Sequence, residues 1–224
     1  MAKGNRGGRG KTTIGSFKDG ANINGDIIEF DGDLKLTKND GSINPVQRAA
    51  VDLWEAKRAN MKIEYANAFG FQGSEYGELR GGPNGVNLKP YYFANRGSVV
   101  THIHPRGDGG LGGTFSDADI KAWSRGNGNT IRAVAKEGTY SISKGKNFNG
   151  SGLYAYVQKQ FNSYTKSLQT TKRSLQSKVN SGSMTAKQAN KILQKEFNTV
   201  LVSMHNDLLN NQSVYGYNYY LEKR

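Results

Sequence analysis

The sequence predicts an α/β protein in which a mixed β-sheet is flanked by helices and followed by a basic helical hairpin. Three observations support this prediction. Residues 98–103 form a short apolar, β-branched run that is typical of a buried strand. Residues 45–59 repeat apolar side chains every three or four positions, as an amphipathic helix does. The same helical spacing returns over 153–168 and 189–204, which predicts two long C-terminal helices.

The first predicted elements are two short strands, 26–30 and 33–37, around the turn signal Asp31-Gly32. The helix over 45–59 starts at Asn44-Pro45, with Asn as the cap and Pro at the first helical position. Its expected buried face consists of apolar side chains at helical spacing, namely Val46, Ala49, Ala50, Leu53 and Trp54.

Further along the chain, residues 63–71 favour a strand, a shorter strand is expected through 76–79, and residues 81–90 are predicted to be a loop. Ser116 is predicted to start a helix that runs to about Arg125.

The C-terminal half begins with a predicted hairpin, 130–136 and 139–143, over Glu137-Gly138. The two long helices follow, separated by a Ser-Gly-Ser break at 181–183. The Tyr-rich end of the chain is compatible with a final strand.

Charge divides the chain of 224 residues into three segments. The net charge of +13 is distributed as +4 over 1–25, +2 over 26–147 and +7 over 148–224. We expect a disordered, basic, Gly-rich tail, a nearly neutral α/β domain and a basic helical extension. Basic ends around a neutral module indicate an anionic partner such as nucleic acid, although a solvated, charge-rich surface would have the same composition.

Composition excludes several classes of site. The chain has no cysteine, so disulfides, thiolate zinc sites and a cysteine nucleophile are excluded. No stretch approaches the ~20 apolar residues of a membrane span, and no membrane partner is expected. No apolar segment follows the basic N-terminal residues, so no secretory signal is expected and a cytoplasmic protein is predicted. The GRGKTT stretch has Asn5 where a P-loop requires its first Gly.

The residues that carry chemistry are two histidines and a carboxylate. His102 and His104 lie at the end of a predicted strand, where side chains two apart point to the same face. If Ser116 caps the next helix, Asp119 lies in its first turn and projects towards the strand end. Three such ligands would leave one position on zinc for water, as in a hydrolytic site. The alternatives are half-exposed histidines and a capping box formed by Ser116 and Asp119.

The order His-x-His-Pro, a spacer and Ser-x-x-Asp resembles the motif of JAB/MPN (JAMM) metalloproteases. The segments VVTHIHPRG, TFSDADI and IRAVAKEGTYSIS are similar to JAB-like domains of RadC-type proteins, of phage head-morphogenesis proteins and of polymorphic toxins. The resemblance covers roughly residues 60–145. It implies a JAB/MPN-like sheet flanked by helices, bound zinc (Zn2+) and cleavage of a peptide or isopeptide bond in a protein or peptide substrate. It also implies a phage- or mobile-element-encoded protein in the cytoplasm of a bacterium or a phage-infected host cell, with virion association as an alternative.

The resemblance also implies roles for single residues. His102, His104 and Asp119 match the zinc ligands, and Ser116 matches the serine that helps to bind the oxyanion. Glu64 matches the catalytic Glu, a general base towards the water at zinc and then an acid towards the leaving amine. Glu75 and Glu78 are rival candidates for this role. His205, on the last predicted helix, is expected to be a solvated or core histidine.

One departure from the family pattern lies between His104 and Ser116, where eleven residues, PRGDGGLGGTF, replace about seven. The insert is compatible with a bulge that leaves the helix in place, with a loop over the substrate cleft, or with displacement of Asp119.

Two other functions remain open at this point. A non-catalytic protein that binds nucleic acid or belongs to a virion would use the JAB-like fold as a scaffold, and the basic ends and the twelve tyrosines fit it. A metal-dependent nuclease of HNH type would need a further metal-binding His shortly downstream, but none lies between His104 and His205.

Overall fold

The computed structural model describes residues 23, 30–37, 41–82, 85–105 and 114–223. Over these residues the protein is a mixed α/β structure with one six-stranded sheet, so the predicted α/β class is confirmed. The strands are β1 (Tyr65–Phe69), β2 (Leu79–Arg80), β3 (Val99–Ile103), β4 (Thr130–Val134), β5 (Thr139–Lys144) and β6 (Tyr217–Glu222). The helices are α1 (Pro45–Arg58), α2 (Asp117–Arg125), α3 (Gly150–Asn180), α4 (Ala186–Asn210) and the single turn α5 (Gln212–Tyr215). A 3-10 helix, Lys89–Phe93, occupies part of the predicted loop.

The strand order of the sheet is β2-β1-β3-β4-β5-β6. Strands β3 and β4 are parallel, and all other neighbours are antiparallel. A parallel pair needs a crossover connection, and α2 provides it here. Because α2 follows the end of β3 and returns to the start of β4, the first turn of α2 lies near the C-terminal end of β3.

Helices cover both faces of the sheet. On one face, Val51 and Trp54 of α1 pack with Val99 and Ile103 of β3. On the other face, the larger core joins alternate sheet residues to α2, α3 and α4. His102 belongs to the second face, because it alternates with the residues that face α1.

The C-terminal segment 148–224 contributes both helices and a strand to this structure. Both predicted long helices are confirmed as α3 and α4, and the Tyr-rich end forms β6. Strand β6 pairs with β5 over six residue pairs, so the last strand of the chain extends the sheet that β1 to β5 form. None of the helices in the described segments is both long and apolar enough to cross a membrane.

One expectation for the N-terminal part was wrong. While residues 26–29 of the predicted hairpin lie outside the described residues, residues 33–37 form no strand. This segment instead runs beside β6, where the Thr37 N–H donates to the Leu221 carbonyl oxygen at 3.0 Å and the Leu221 N–H donates to Thr37 Oγ1 at 2.8 Å. Because the Leu221 N–H donates to the Thr37 side chain and not to a backbone carbonyl oxygen, residues 33–37 do not continue as a strand paired with β6.

The helix α1 is present as predicted, but its buried face differs from the apolar pattern. Val46 is 62% exposed and Leu53 is 60% exposed, whereas the polar Gln47 and Glu55 are buried. Gln47 Nε2 donates to three backbone carbonyl oxygens, those of Phe69, Gly70 and Gly97. Buried polar groups that find partners can displace apolar ones from a helix face.

Candidate metal centre

Two histidines project from the C-terminal end of β3. His102 is the fourth residue of this strand, and His104 follows the strand directly. The His104 N–H donates to the Val134 carbonyl oxygen at 2.8 Å, which continues the strand register and keeps both side chains on the α2 face. Both residues are buried, and their Nε2 atoms are 3.0 Å apart.

Asp119 approaches the histidines from the first turn of α2. Its Oδ1 lies 3.5 Å from His102 Nε2, and its Oδ2 lies 3.9 Å from His104 Nε2. Ligand atoms of the three residues all lie within 4.8 Å of one another, so this group could hold a metal ion. The insert after His104 therefore does not displace Asp119. Its residues 106–113 lie outside the described residues, so the expectation of a loop over the cleft falls there too.

Ser116 orients the Asp119 carboxylate through a complete capping box. The Ser116 backbone N–H donates to Asp119 Oδ2 at 2.8 Å, and the Ser116 hydroxyl donates to the same oxygen at 2.7 Å. In return, the Asp119 N–H donates to Ser116 Oγ at 3.1 Å. The capping interpretation and the metal-ligand interpretation are thus compatible, because two donors hold Oδ2 while Oδ1 is directed at His102.

Charge and burial at this group suit a cation. Burial acts to raise the pKa of the Asp119 carboxyl, but the imidazoles of His102 and His104 outweigh it and lower that pKa well below its usual range. The Nε2 atoms of His102 and His104 are 3.0 Å apart. Without a cation, their lone pairs would repel each other unless one nitrogen carries a proton and donates it to the other. A bound cation would accept both lone pairs. The other ring nitrogen, His102 Nδ1, is buried and has no hydrogen-bond partner among the described residues.

Glu64 lies at the start of the strand next to this group. It directly precedes β1, and the antiparallel register pairs Ala66 with His102, which places Glu64 level with His104 on the same face. The residue is only 4% exposed. Burial raises the pKa of Glu64 to about 8; His104 acts to lower this pKa and Asp119 to raise it. The register therefore brings Glu64 to the end of the sheet that carries the candidate metal ligands.

The two rival glutamates are engaged elsewhere. Glu75 accepts a hydrogen bond from Asn67 Nδ2 at 2.8 Å. Glu78 accepts one from Trp54 Nε1 of α1 at 2.9 Å and forms an ion pair with Arg58. Neither of these two carboxylates belongs to the histidine group. Of the three candidate glutamates, Glu64 is therefore the one at this centre.

A second polar chain, which the sequence did not indicate, leads from the segment before α2 to the C-terminus. Thr114 Oγ1 lies 3.3 Å from the Tyr219 hydroxyl, and that hydroxyl lies 2.9 Å from His205 Nδ1. His205 Nε2 lies 3.1 Å from the Lys35 carbonyl oxygen, so it carries the proton, Nδ1 accepts from Tyr219, and Tyr219 accepts from Thr114. His205 is thus a core histidine, one of the two expected alternatives, and burial lowers its pKa.

Comparisons of the chain with protein-family models, with curated proteins and with solved structures found no match. The resemblance of residues 60–145 to JAB/MPN domains therefore stays a prediction, and the chemistry of the site is inferred from its own residues.

Proposed function

We propose that this protein is a zinc-dependent hydrolase of the JAMM type that cleaves a peptide or isopeptide bond. The observation that carries the proposal is the convergence of His102, His104 and Asp119 in one buried group. The position of Glu64 beside them supplies the carboxyl group that such a reaction needs for proton transfer.

The donor set fits zinc. Two imidazole nitrogens and one carboxylate oxygen are ligands that zinc commonly takes, and catalytic zinc sites typically have three protein ligands. Sites for Ca2+ or Mg2+ are built mainly from oxygen atoms, which a pair of histidines does not supply. When bound, zinc would supply Lewis-acid polarisation of water and of the substrate carbonyl group.

Glu64 is the residue that would move protons. Its buried carboxylate accepts a proton from the water that attacks the carbonyl carbon, and the protonated acid then gives that proton to the amine nitrogen as the C–N bond breaks. In the metal-free protein the pKa of Glu64 is about 8, close enough to neutral pH that both the carboxylate and the protonated acid are accessible.

Ser116 has a positioning role in this arrangement. Its hydroxyl proton is donated to Asp119 Oδ2, so the hydroxyl fixes a metal ligand. The role of oxyanion donor, which the family resemblance implies, requires this hydroxyl to turn from Asp119 towards the substrate.

Zinc binding is tested by metal analysis of the full chain after purification without chelator. We expect about one zinc ion per chain in the wild type and in Asp117→Asn, and loss of zinc in Asp119→Asn. Asp117 is a matched control because it lies two residues away on α2 and its substitution removes the same charge. Equal zinc content in the two variants would contradict the metal centre.

Hydrolysis is tested with zinc-loaded protein on a peptide library and on isopeptide-linked conjugates, with products identified by mass spectrometry. Glu64→Gln should retain zinc and lose at least about a hundredfold in rate, the scale expected for a general acid–base group. Glu75→Gln removes a carboxylate outside the centre and should leave the rate unchanged. Zinc binding without any cleavage, in the wild type as in the variants, would favour the non-catalytic scaffold.

A further inference from the structure

The hairpin of α3 and α4 carries a long segment of basic residues without any acidic ones. Residues 150–195 contain eight Lys and Arg and no Asp or Glu, whereas residues 26–147 are nearly balanced. These basic side chains are Lys159, Lys166, Lys172, Arg173, Lys178, Lys187, Lys191 and Lys195. Such an asymmetry within one folded element creates a strongly positive surface.

Helical geometry arranges three of these residues in a row on α3. Lys159, Lys166 and Arg173 recur every seven positions, which returns them to nearly the same side of the helix, about 10 Å apart along its axis. All three are exposed. The buried side chains of α3 point to the opposite side; they are Leu153, Val157, Phe161, Leu168 and Leu175.

A second row lies on α4, where Lys187, Lys191 and Lys195 recur every four positions and are exposed. The two helices pack against each other, so both rows belong to one hairpin. Within the described residues, none of these six side chains takes part in an ion pair.

The next acidic residues along α4 are engaged inside the hairpin. Glu196 accepts a hydrogen bond from Ser167 Oγ at 3.0 Å, and Asp207 accepts one from the Tyr164 hydroxyl at 2.7 Å. Both contacts join α3 to α4. These carboxylates therefore serve packing of the hairpin, and the lysine rows keep their positive potential.

The side chains around the two basic rows indicate which class of polyanion the hairpin binds. A helix that binds a membrane surface presents large apolar side chains beside its basic ones. Over the described part of α3 and α4, the one exposed large apolar side chain is Ile192. A site for single-stranded nucleic acid presents aromatic faces for stacking, yet none of the aromatic side chains of the two helices is exposed.

We propose that the two basic rows of the α3–α4 hairpin, Lys159, Lys166 and Arg173 on α3 and Lys187, Lys191 and Lys195 on α4, dock on the phosphate backbone of double-helical nucleic acid without reading its sequence. Lys and Arg neutralise phosphates, and the exposed Ser163 between Lys159 and Lys166 is a further phosphate donor. This function is independent of the metal centre.

The test uses the full chain and fluorescently labelled duplexes of DNA and of RNA, with the affinity measured by anisotropy over a range of salt concentrations. One variant changes the six hairpin residues to Gln. A second changes three of them, Lys159, Lys166 and Arg173, to Gln. Its matched control changes the exposed Lys57, Lys62 and Lys89 of the balanced part to Gln, with the same loss of charge.

We expect the wild type to bind duplexes of unrelated sequence equally and to prefer them over single strands of equal length. Each phosphate contact that is lost should reduce the slope of log K against log salt by about 0.9, and the six-residue variant should lose at least about tenfold in affinity. The Lys57, Lys62 and Lys89 control should match the wild type.

Three results would overturn the proposal. One is equal affinity and salt slope in the six-residue variant and the wild type. Another is a loss of duplex binding when Lys3, Arg6 and Arg9 of the N-terminal segment are changed to Gln while the hairpin is intact. The third is binding to vesicles that contain phosphatidylserine, with no binding to either duplex. Circular dichroism of each variant verifies that the helices remain formed.

Discussion

Single residues of this protein combine structural and chemical roles. Asp119 caps α2 and at the same time lies 3.5 Å from His102 Nε2. Glu64 supports the start of β1, where its N–H donates to the Gly82 carbonyl oxygen, and its buried side chain lies level with His104 at the end of the neighbouring strand. Burial of such groups costs free energy unless they are paired, and perturbed pKa values of this kind cluster at functional sites.

The pKa of Glu64 leads to a prediction for the metal-free protein. The unfolded chain loses the Glu64 proton near its ordinary pKa of 4.5, whereas the folded protein retains it up to about 8. Between these values the unfolded state binds fewer protons, so this residue makes stability fall as pH rises. Urea unfolding in the presence of chelator should show this fall in the wild type and a smaller one in Glu64→Gln. Parallel pH profiles of the two proteins would contradict the assignment.

Among the elements, α2 and α1 each approach the sheet through polar side chains that their apolar patterns do not show. On α2, Asp119 Oδ1 lies 3.5 Å from His102 Nε2 of β3, and the capping box orients this carboxylate. Helix α1 is held by Glu55, which accepts hydrogen bonds from Arg132 Nε at 2.8 Å and from Thr101 Oγ1 at 2.7 Å. Arg132 is 1% exposed and lies on β4, so this buried pair joins a helix to the centre of the sheet.

For α2, we predict that Ser116→Ala weakens both the helix and the metal centre. Loss of the cap should reduce the free energy of unfolding by about 1 kcal/mol, and zinc affinity should fall about 10- to 100-fold because Asp119 Oδ2 loses the hydroxyl, one of the two donors that orient it. Ser124→Ala, near the end of the same helix, is the control. Chemical denaturation and zinc titration with a competing chelator measure the two effects.

For α1, we predict that Arg132→Met reduces the free energy of unfolding by about 3–5 kcal/mol, since it leaves the Glu55 carboxylate buried without its cation. The double variant Arg132→Met, Glu55→Met should regain much of this loss, because both charges are then absent. Arg125→Met, at an exposed position, should have little effect. A double variant as unstable as the single one would show that the pair itself is not the cause.

In the described part of the molecule, the last strand of the chain, β6, forms one edge of the six-stranded sheet. Strand β6 places Leu221 in the larger core and Glu222 beside Arg48 and Arg132. It also brings Tyr219 into the chain of hydrogen bonds that ends at Thr114, shortly before Ser116. The C-terminal segment thus supports the same region that carries the metal centre.

At this scale, we predict that Leu221→Ala reduces the free energy of unfolding by about 2–5 kcal/mol, as for other fully buried leucines. Asn218→Ala, on the exposed side of β6, is the control and should have little effect. Trp54 and Trp123 lie on opposite faces of the sheet and report unfolding of each face separately. In chains that retain one tryptophan, Leu221→Ala should lower both transitions together. If Leu221→Ala lowered the transition reported by only one of the two tryptophans, β6 would not be an integral part of the fold.

The sequence by itself determined the local elements and the identity of the candidate ligands. Helical periodicity located α1, α3 and α4, and β-branched runs located β3 and β4, because these patterns depend on neighbours within a few residues. The spacing of His102 and His104 on one strand and the Ser116–Asp119 cap were likewise local. Glu64 could be selected from sequence only through a family resemblance, with Glu75 and Glu78 as rivals.

Tertiary structure decided everything that depends on residues far apart in sequence. The antiparallel register of β1 and β3 separated Glu64 from its rivals, and the crossover through α2 brought Asp119 to the histidines despite the long insert. The buried face of α1 and the role of β6 also escaped prediction, because Gln47, Glu55 and Tyr219 find partners 14 to 105 residues away. Apolar periodicity records which side chains avoid water, but a buried polar side chain is stabilised by partners that only the folded chain supplies.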